Sequence, residues 1–338
     1  MKDKRTYFIT GVAGFLGSHL ADRFLADGHR VIGCDNLVGG YLDNVPPGVE
    51  LHTADMCDRA RMLEIMRGVD VVYHTAAYAY EGLSVFSPYL VSNNIFGGTI
   101  SVVSAAISNK VKRFVHCSSM ARYGTQPTTP FHEEMACLPQ DPYGIAKYAA
   151  ELAIRNLCEV HGMEFVIAVP HNIIGPRQKY DDPFRNVASI MINLMLQGRQ
   201  PIIYGDGEQM RTFSFIDDVV GPLEKMATDP KVAGHIINIG PDDEFVTINK
   251  LAKIIAELLD FKLAPIYMPG RPQEVKHATC SANKAREFLD YEPKTPLKQG
   301  LQSMIEYIRT RGVKPFHYHL ELEIVTDKTP RTWKDRLF

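Results

Sequence analysis

The chain has 338 residues, of which 45% are hydrophobic and 22% are charged, as in an ordinary globular protein. A formal net charge of −2 at pH 7 gives no electrostatic reason to expect a nucleic-acid or membrane-surface partner. We expect neither a signal peptide nor a membrane span, because no apolar run approaches the roughly 20 residues that a membrane helix requires.

The cysteines and histidines predict neither disulfides nor a metal site. The six cysteines have no paired spacing, which favours reduced thiols and a cytoplasmic location. Only His317 and His319 could place two histidines on one side of a strand, and no third ligand lies nearby in the sequence.

The first half of the chain alternates short apolar strands with amphipathic helices. We predict strands at 7–10, 30–35, 49–53, 69–74, 112–117 and 165–169. We predict helices at 15–27, 59–67, 88–109 and 143–161. Strands rich in valine and isoleucine, separated by helices, are typical of a parallel sheet covered on both faces. The predicted fold class is therefore α/β, with a doubly wound parallel (Rossmann) sheet.

After residue 170 this alternation loosens and prolines and glycines become more frequent. We predict further helices at 186–197, 217–228, 247–259, 282–289 and 297–310. The predicted domains are 1–170, the doubly wound domain, and 171–312, a smaller irregular region that binds substrate and returns some segments to the sheet. Residues 313–338 contain Phe316, Tyr318 and Trp333, the only tryptophan, and we expect them to form a docked strap rather than a disordered tail.

A glycine motif joins the first strand to the first helix, where a dinucleotide would bind. Gly11 allows a tight turn, Gly14 lets the backbone approach a pyrophosphate, and Gly17 allows close packing of the helix. The N-terminus of the helix would face the phosphates with free N–H groups and a partial positive charge. The context of strand, turn and helix makes dinucleotide binding the favoured interpretation over a simple turn.

Acidic and small residues at the next strand ends complete the predicted cofactor site. Asp35 ends the second strand, where a carboxylate can bind the ribose hydroxyls of adenosine. No lysine or arginine occurs between Asn36 and Asn44 to neutralise a 2′-phosphate, which favours NAD over NADP. Asp55 could face the adenine, and the small residues of 75–77 leave room beside the cofactor.

The segment around residue 143 suggests acid–base chemistry on an alcohol. Tyr143 and Lys147 lie on one face of a predicted helix. A phenol is a poor base at neutral pH, but a nearby ammonium and a positive nicotinamide would lower its pKa. Ser118 and Ser119 follow a strand at the carboxyl edge of the sheet, where a hydroxyl could bind the substrate oxygen.

Together these segments resemble the extended short-chain dehydrogenase/reductases, and within them the nucleotide-sugar epimerases and dehydratases. The resemblance extends to about residue 310. It rests on TGVAGFLGSHL (10–20), HTAA (74–77), SSMARYG (118–124), PYGIAK (142–147), NIIGPRQ (172–178), YGDGEQMR (204–211) and FIDDV (215–219).

The resemblance implies roles for individual residues. The implied catalytic residues are Ser119, Tyr143 and Lys147, with Lys147 also on the nicotinamide ribose. The expected NAD contacts are Gly11, Gly14, Phe15, Leu16, Gly17, Asp35, Asn36, Asp55, Met56, Thr75, Ala76, Ala77, Asn94, Tyr143, Lys147 and Pro170. The expected substrate contacts are Ser84, Ser119, Tyr143, Asn172, Arg211 and Arg271, because paired N–H donors of arginine suit a diphosphate.

Departures from the family pattern indicate which reaction to expect. Dehydratases, decarboxylases and 3,5-epimerases of the family resemble one another in carrying an extra acid or base after the catalytic hydroxyl. Here Met120 and Ala121 stand at those positions, which favours 4-epimerisation by transient oxidation at C4. A nucleotide-sugar reductase or dehydratase remains the alternative, and a catalytically silent NAD-binding sensor or scaffold is the alternative from another class.

The residues alone choose neither the sugar nor the nucleotide. Family frequency alone favours UDP, with hexose, N-acetylhexosamine or uronate as the sugar. A uronate would require Arg122 or Arg185 to reach the pocket, and we expect Arg122 to face outward. His171 also departs from the family pattern and leaves the sugar open.

The helices at 88–109 and 143–161 lie where relatives dimerise, and we expect a homodimer.

Overall fold

The computed structural model of the protein describes residues 4–338. The strands are β1 (Thr6–Thr10), β2 (Arg30–Asp35), β3 (Glu50–Thr53), β4 (Val71–His74), β5 (Arg113–Cys117), β6 (Glu164–Pro170), β7 (Ile173–Ile174), β8 (Ile202–Tyr204), β9 (Met210–Arg211), β10 (Ser214–Phe215), β11 (Ile236–Ile239), β12 (Val246–Thr247), β13 (Ile266–Met268) and β14 (His277–Ala278). The helices are α1 (Phe15–Ala26), α2 (Arg59–Ile65), α3 (Glu81–Ser84), α4 (Pro88–Ser92), α5 (Gly98–Ser108), α6 (Pro142–His161), α7 (Val187–Leu196), α8 (Ile216–Met226), α9 (Ile248–Leu259), α10 (Asn283–Leu289), α11 (Leu297–Arg311) and α12 (Arg331–Lys334).

A seven-stranded parallel sheet forms the centre of the molecule, in the order β11-β6-β5-β4-β1-β2-β3. Every residue of β4 and β5 is buried, because helices cover both faces of the sheet. One core cluster packs α1 and α8 on one face through residues such as Phe24 and Leu223. The other packs α2, α5 and α6 on the opposite face through residues such as Met62 and Ile154. The predicted doubly wound α/β fold is confirmed.

The chain beyond β6 builds a second layer of structure against one end of the sheet. Its helices α7, α9 and α11 share a hydrophobic cluster of their own. Strand β11 nevertheless belongs to the central sheet, where Ile236 pairs with Ile167 of β6. The cleft between the sheet edge and this layer is where the sequence motifs converge.

The helical stretch 88–108 bears on the expectation that no apolar run is long enough to cross a membrane. It consists of α4, a π-helical turn at Asn93–Gly97, and α5, and it is long and apolar enough to cross a membrane. More than half of its apolar window is buried within the protein. Val102 and Val103 are fully buried in the core, as in a helix that packs against other helices. Length alone is therefore weak evidence for a membrane span.

Candidate functional site

A cleft of about 490 Å³ lies at the carboxyl ends of the central strands. The doubly wound part supplies one wall and the chain beyond residue 170 supplies the other. Ligands of doubly wound sheets bind at this edge, and the volume suits a small-molecule site.

The glycine loop forms one end of this cleft through very close backbone packing. Gly11 has a φ of 75°, and a Cβ on Gly17 would lie 2.2 Å from the carbonyl oxygen of Gly11. Helix α1 then begins at Phe15 without a side-chain cap. Its first N–H groups are consequently available to an anion, as a dinucleotide pyrophosphate requires.

Asp35 lies at the end of β2 beside this loop and is largely buried. Its carboxylate accepts hydrogen bonds from the backbone N–H groups of Ala13 (2.9 Å) and Leu37 (2.7 Å). Burial raises the pKa of Asp35, and these two hydrogen bonds oppose that rise. The carboxylate is thus fixed in place at the cleft, in the position that suits ribose hydroxyls.

Most of the other expected cofactor residues also line the cleft. These are Phe15, Leu16, Asn36, Met56, Thr75, Ala76, Ala77, Asn94 and Pro170. Asn94 is held by its side-chain oxygen, which accepts from the N–H of Tyr78 at 2.9 Å. Asp55 differs from the expectation: it is exposed, lies outside the cleft lining, and accepts from the N–H of Cys57 at 2.8 Å.

The structure brings Ser119, Tyr143 and Lys147 together at the middle of the cleft. Ser119 directly follows Ser118 at the end of β5, and its hydroxyl accepts from the N–H of Ala121 at 3.2 Å. Tyr143 and Lys147 rise from the first turns of α6, which Asp141 caps through the N–H of Gly144 (2.8 Å). The end of β5 and the start of α6 therefore place these three side chains in the same part of the cleft.

The ionisation of these groups is governed mainly by burial. Burial raises the pKa of Tyr143, and its hydrogen bond to Ser119 lowers it. Burial lowers the pKa of Lys147 to about 8, with Cys117 and Glu151 acting in the opposite direction. The hydrogen bond that Lys147 Nζ donates goes to the carbonyl oxygen of Cys117, at 2.8 Å.

Arg122 contradicts the expectation that it faces outward. Its side chain is only 3% exposed, and Nη2 lies 2.9 Å from a carboxylate oxygen of Glu151 on α6. The other carboxylate oxygen of Glu151 accepts a hydrogen bond from the hydroxyl of Ser118. Arg122 also donates to the hydroxyl of Tyr123 at 3.2 Å. The buried carboxylate of Glu151 explains why a guanidinium is found inside.

The expected substrate residues divide into those that reach the cleft and one that does not. Asn172, Arg211 and Arg271 line the cleft. The guanidinium of Arg271 lies 3.0 Å from Glu274 and over the ring of Tyr204. Ser84, by contrast, is fully buried outside the cleft lining, and its hydroxyl donates to the carbonyl oxygen of Glu81 at 2.7 Å.

Two ionisable cleft residues were missed or left open by the sequence motifs. Glu81 lines the cleft, and desolvation there together with the charge of Asp141 raises its pKa to about 7. Glu81 lies three residues before Ser84, an expected substrate contact, and this proximity was the sequence signal that could have identified it. Arg185 also lines the cleft, donates to the carbonyl oxygen of Gly39 at 3.2 Å, and lies over the ring of Tyr80.

His171 and the histidine pair lie apart from this chemistry. His171 is buried and outside the cleft lining, beside the hydroxyl of Thr212 at 2.7 Å, and burial lowers its pKa to about 3. The rings of His317 and His319 stack at 5.6 Å. Within the described residues no group of three potential metal ligands occurs.

Comparisons with known proteins agree with this geometry. Residues 7–240 match the model of the NAD dependent epimerase/dehydratase family. The chain is 31% identical to the UDP-glucose 4-epimerase of Mycolicibacterium smegmatis, over 90% of this chain and 98% of that one. It is also 31% identical to the Thermotoga maritima UDP-glucose 4-epimerase solved with UDP-glucose, with a TM-score of 0.85 over 90% of this chain and 99% of that one. A third similar structure is the Thermus thermophilus UDP-glucose 4-epimerase in complex with NAD, at 27% identity and a TM-score of 0.81, over 90% and 99%.

Proposed function

Because the chain belongs to the NAD dependent epimerase/dehydratase family, we propose that it is a UDP-sugar 4-epimerase. The observation that carries the proposal is the meeting of Ser119, Tyr143 and Lys147 in the cleft, without an acid at positions 120 and 121. Met120 packs against the core cluster around Tyr123 and Phe131. Neither its thioether nor the methyl group of Ala121 can transfer a proton.

The cleft fits the family's cofactor by its shape and donors. A side chain at Gly17 would collide with Gly11, and the uncapped start of α1 offers N–H groups to a pyrophosphate. Asp35 would bind the adenosine ribose, and the absence of lysine and arginine between Asn36 and Asn44 supports NAD over NADP. A bound NAD would supply a reversible hydride acceptor for C4 of the sugar, so that no net oxidation would occur.

The protein's own residues move and hold the proton. Tyr143 accepts the proton of the 4-hydroxyl and gives it back to the 4-keto sugar. Ser119 donates a hydrogen bond to the same sugar oxygen, which polarises the ketone. The ammonium of Lys147 would bind the nicotinamide ribose and stabilise the phenolate of Tyr143. Inversion requires the sugar to turn over between the two hydride transfers, while Arg211 and Arg271 hold the diphosphate.

The charge of the cleft favours a neutral sugar over a uronate. Arg122 is paired with Glu151, and the guanidinium of Arg185 lies 3.4 Å from the buried carboxylate of Asp182. Glu81 and Asp141 line the cleft beside Tyr143 and would repel a uronate carboxylate. We therefore propose glucose/galactose or their N-acetyl forms as the sugar, on UDP as in the similar epimerases.

The test is a panel of UDP-sugars incubated with the purified enzyme and followed by NMR. We expect inversion at C4 of UDP-glucose or UDP-N-acetylglucosamine, much slower turnover of UDP-glucuronate, and at least about 100-fold lower turnover in the Tyr143→Phe variant. Turnover of none of the sugars, with or without added NAD, would overturn the assignment and favour the silent sensor or scaffold.

Glu81 supports one alternative within the family. A carboxyl with a pKa of about 7 near Tyr143 could move a carbon-bound proton, as a dehydratase requires. Deuterium entering the sugar carbons from deuterated water would support that reaction, and stoichiometric consumption of NADH would support a reductase.

We also propose a homodimer in the cytoplasm. Large apolar side chains are exposed on the neighbouring helices of the 88–108 stretch and α6: Tyr89, Phe96, Ile145, Leu152 and Val160. Val102 and Val103, on the same stretch, are buried in the core instead. An exposed apolar patch of this kind favours pairing of two copies. A monomer by light scattering at micromolar concentration would contradict it.

A further inference from the structure

Residues 313–338, which we call the strap, hold little regular structure apart from α12. The similar epimerases cover 90% of this chain but 98–99% of their own length. About a tenth of this chain therefore lies outside these alignments, and the sequence resemblance described above extends only to about residue 310. The strap needs its own explanation.

The strap is bound to the doubly wound part through α4 and the segment just before it. Ser87 donates its hydroxyl to the carbonyl oxygen of Glu321 at 2.8 Å. The carboxylate of Glu323 accepts from the N–H groups of Tyr89 (2.9 Å) and Leu90 (2.7 Å), which are free at the start of a helix.

The strap also forms hydrogen bonds with the opposite wall of the cleft. The carbonyl oxygen of Lys314 accepts from the side-chain amide of Asn193 at 2.9 Å. The N–H of His317 donates to the carbonyl oxygen of Asp181 at 2.8 Å. The hydroxyls of Thr332 and Tyr204 are also hydrogen-bonded. The strap thus crosses the cleft and connects its two walls.

Trp333 is the part of the strap that reaches the ligand space. Its side chain is 5% exposed, lines the cleft, and donates Nε1–H to the carbonyl oxygen of Pro183 at 3.1 Å. Its ring packs against Phe86 of one wall at 6.0 Å and Phe184 of the other at 5.5 Å. A Cβ on Gly82 would lie 3.2 Å from the indole and 3.4 Å from Arg271.

We propose that the strap is part of the substrate site and that Trp333 contacts the nucleotide-sugar beside the diphosphate. The indole and the guanidinium of Arg271 both lie within 3.4 Å of the Cβ position of Gly82, and Arg271 is the residue expected to hold that diphosphate. A rigid aromatic face supplies a large contact area at little entropic cost, so its main effect is on substrate binding. This inference rests on the proposed function for the identity of the ligand, UDP-sugar.

Because Trp333 is the only tryptophan, its fluorescence reports directly on this contact. We expect titration of the holoenzyme with UDP to change the emission saturably, without any need for turnover. Asp335→Asn is the matched control, because Asp335 lies on the strap, pairs with Arg331, and is absent from the cleft lining. It should reproduce the titration of the unchanged protein.

A second pair of variants separates contact from folding. Trp333→Phe should raise KM for the UDP-sugar about tenfold, the effect of losing one good aromatic contact, and leave kcat within about threefold. Glu323→Ala should loosen the strap, so that acrylamide quenches Trp333 more strongly until UDP is added. Unchanged emission at saturating UDP, or an unchanged KM in Trp333→Phe, would overturn the proposal.

The same measurements distinguish failure of this inference from failure of the proposed function. A saturable UDP signal without epimerisation of any UDP-sugar supports the strap and contradicts the epimerase. Epimerisation with no UDP signal supports the epimerase and contradicts the strap.

Discussion

Nζ of Lys147 donates a hydrogen bond to the carbonyl oxygen of Cys117, at 2.8 Å. Cys117 ends β5, two residues before Ser119, so one bond ties the α6 face of the site to its strand face. Lys147 is therefore placed to hold the geometry of the site as well as its charge.

The Tyr143→Phe variant removes one oxygen from a buried side chain and leaves its ring packing in place. We expect turnover to fall by about 100- to 10 000-fold, because the proton acceptor is lost. NAD content and UDP affinity should stay close to those of the unchanged protein. Wild-type turnover would contradict the catalytic assignment.

The Lys147→Met variant should lose both turnover and cofactor. It removes the ammonium that stabilises the phenolate and the donor that holds Cys117, so we expect at least about 100-fold lower kcat. NAD released on heat denaturation and assayed enzymatically should fall below that of Tyr143→Phe. Equal NAD content in the two variants would place Lys147 away from the cofactor.

Glu81 predicts a pH dependence of substrate binding. Its pKa is raised to about 7, so the carboxyl is neutral below that pH and anionic above it. The anion repels the diphosphate, and KM for the UDP-sugar should rise about threefold as the pH increases through 7. Glu81→Gln should remove this inflection. An identical pH profile in the variant would exclude Glu81 as its source.

The buried ion pair of Arg122 and Glu151 should stabilise the folded protein, because each side chain neutralises the charge of the other. Arg122→Met leaves a buried carboxylate unpaired and should lower the free energy of unfolding by about 3–5 kcal/mol in urea titrations. Combining it with Glu151→Leu should recover a large part of that loss. Arg61→Met, in a surface pair with Glu64, is the control and should cost less than about 1 kcal/mol. A single Arg122→Met loss no larger than that control would contradict the role of the pair.

The fold could be predicted because its signals are local. The continuous apolar runs of buried parallel strands and the glycine loop located β1, β2 and β5 to within one residue. The helix predicted at 143–161 also begins within one residue of α6, which starts at Pro142. Most of the site residues expected from contiguous motifs therefore line the cleft.

The residues that were not predicted depend on partners far apart in the chain. The direction of Arg122 is decided by Glu151 on α6, and the buried hydroxyl of Ser84 lies 3.5 Å from a carboxylate oxygen of Asp141. Aromatic content suggested that the strap is docked, but only the fold brings Trp333 to Arg271. Such placements follow from tertiary packing, which composition and spacing do not encode.

Transient oxidation at C4 is tested most directly with a UDP-hexose that carries deuterium at C4. The protein is incubated with it in ordinary water, and the C4 epimer is isolated and examined by NMR and mass spectrometry. We predict that the deuterium is retained at C4 of the product, because the hydride returns to the carbon it left. Loss of the deuterium to water would contradict transient oxidation at C4.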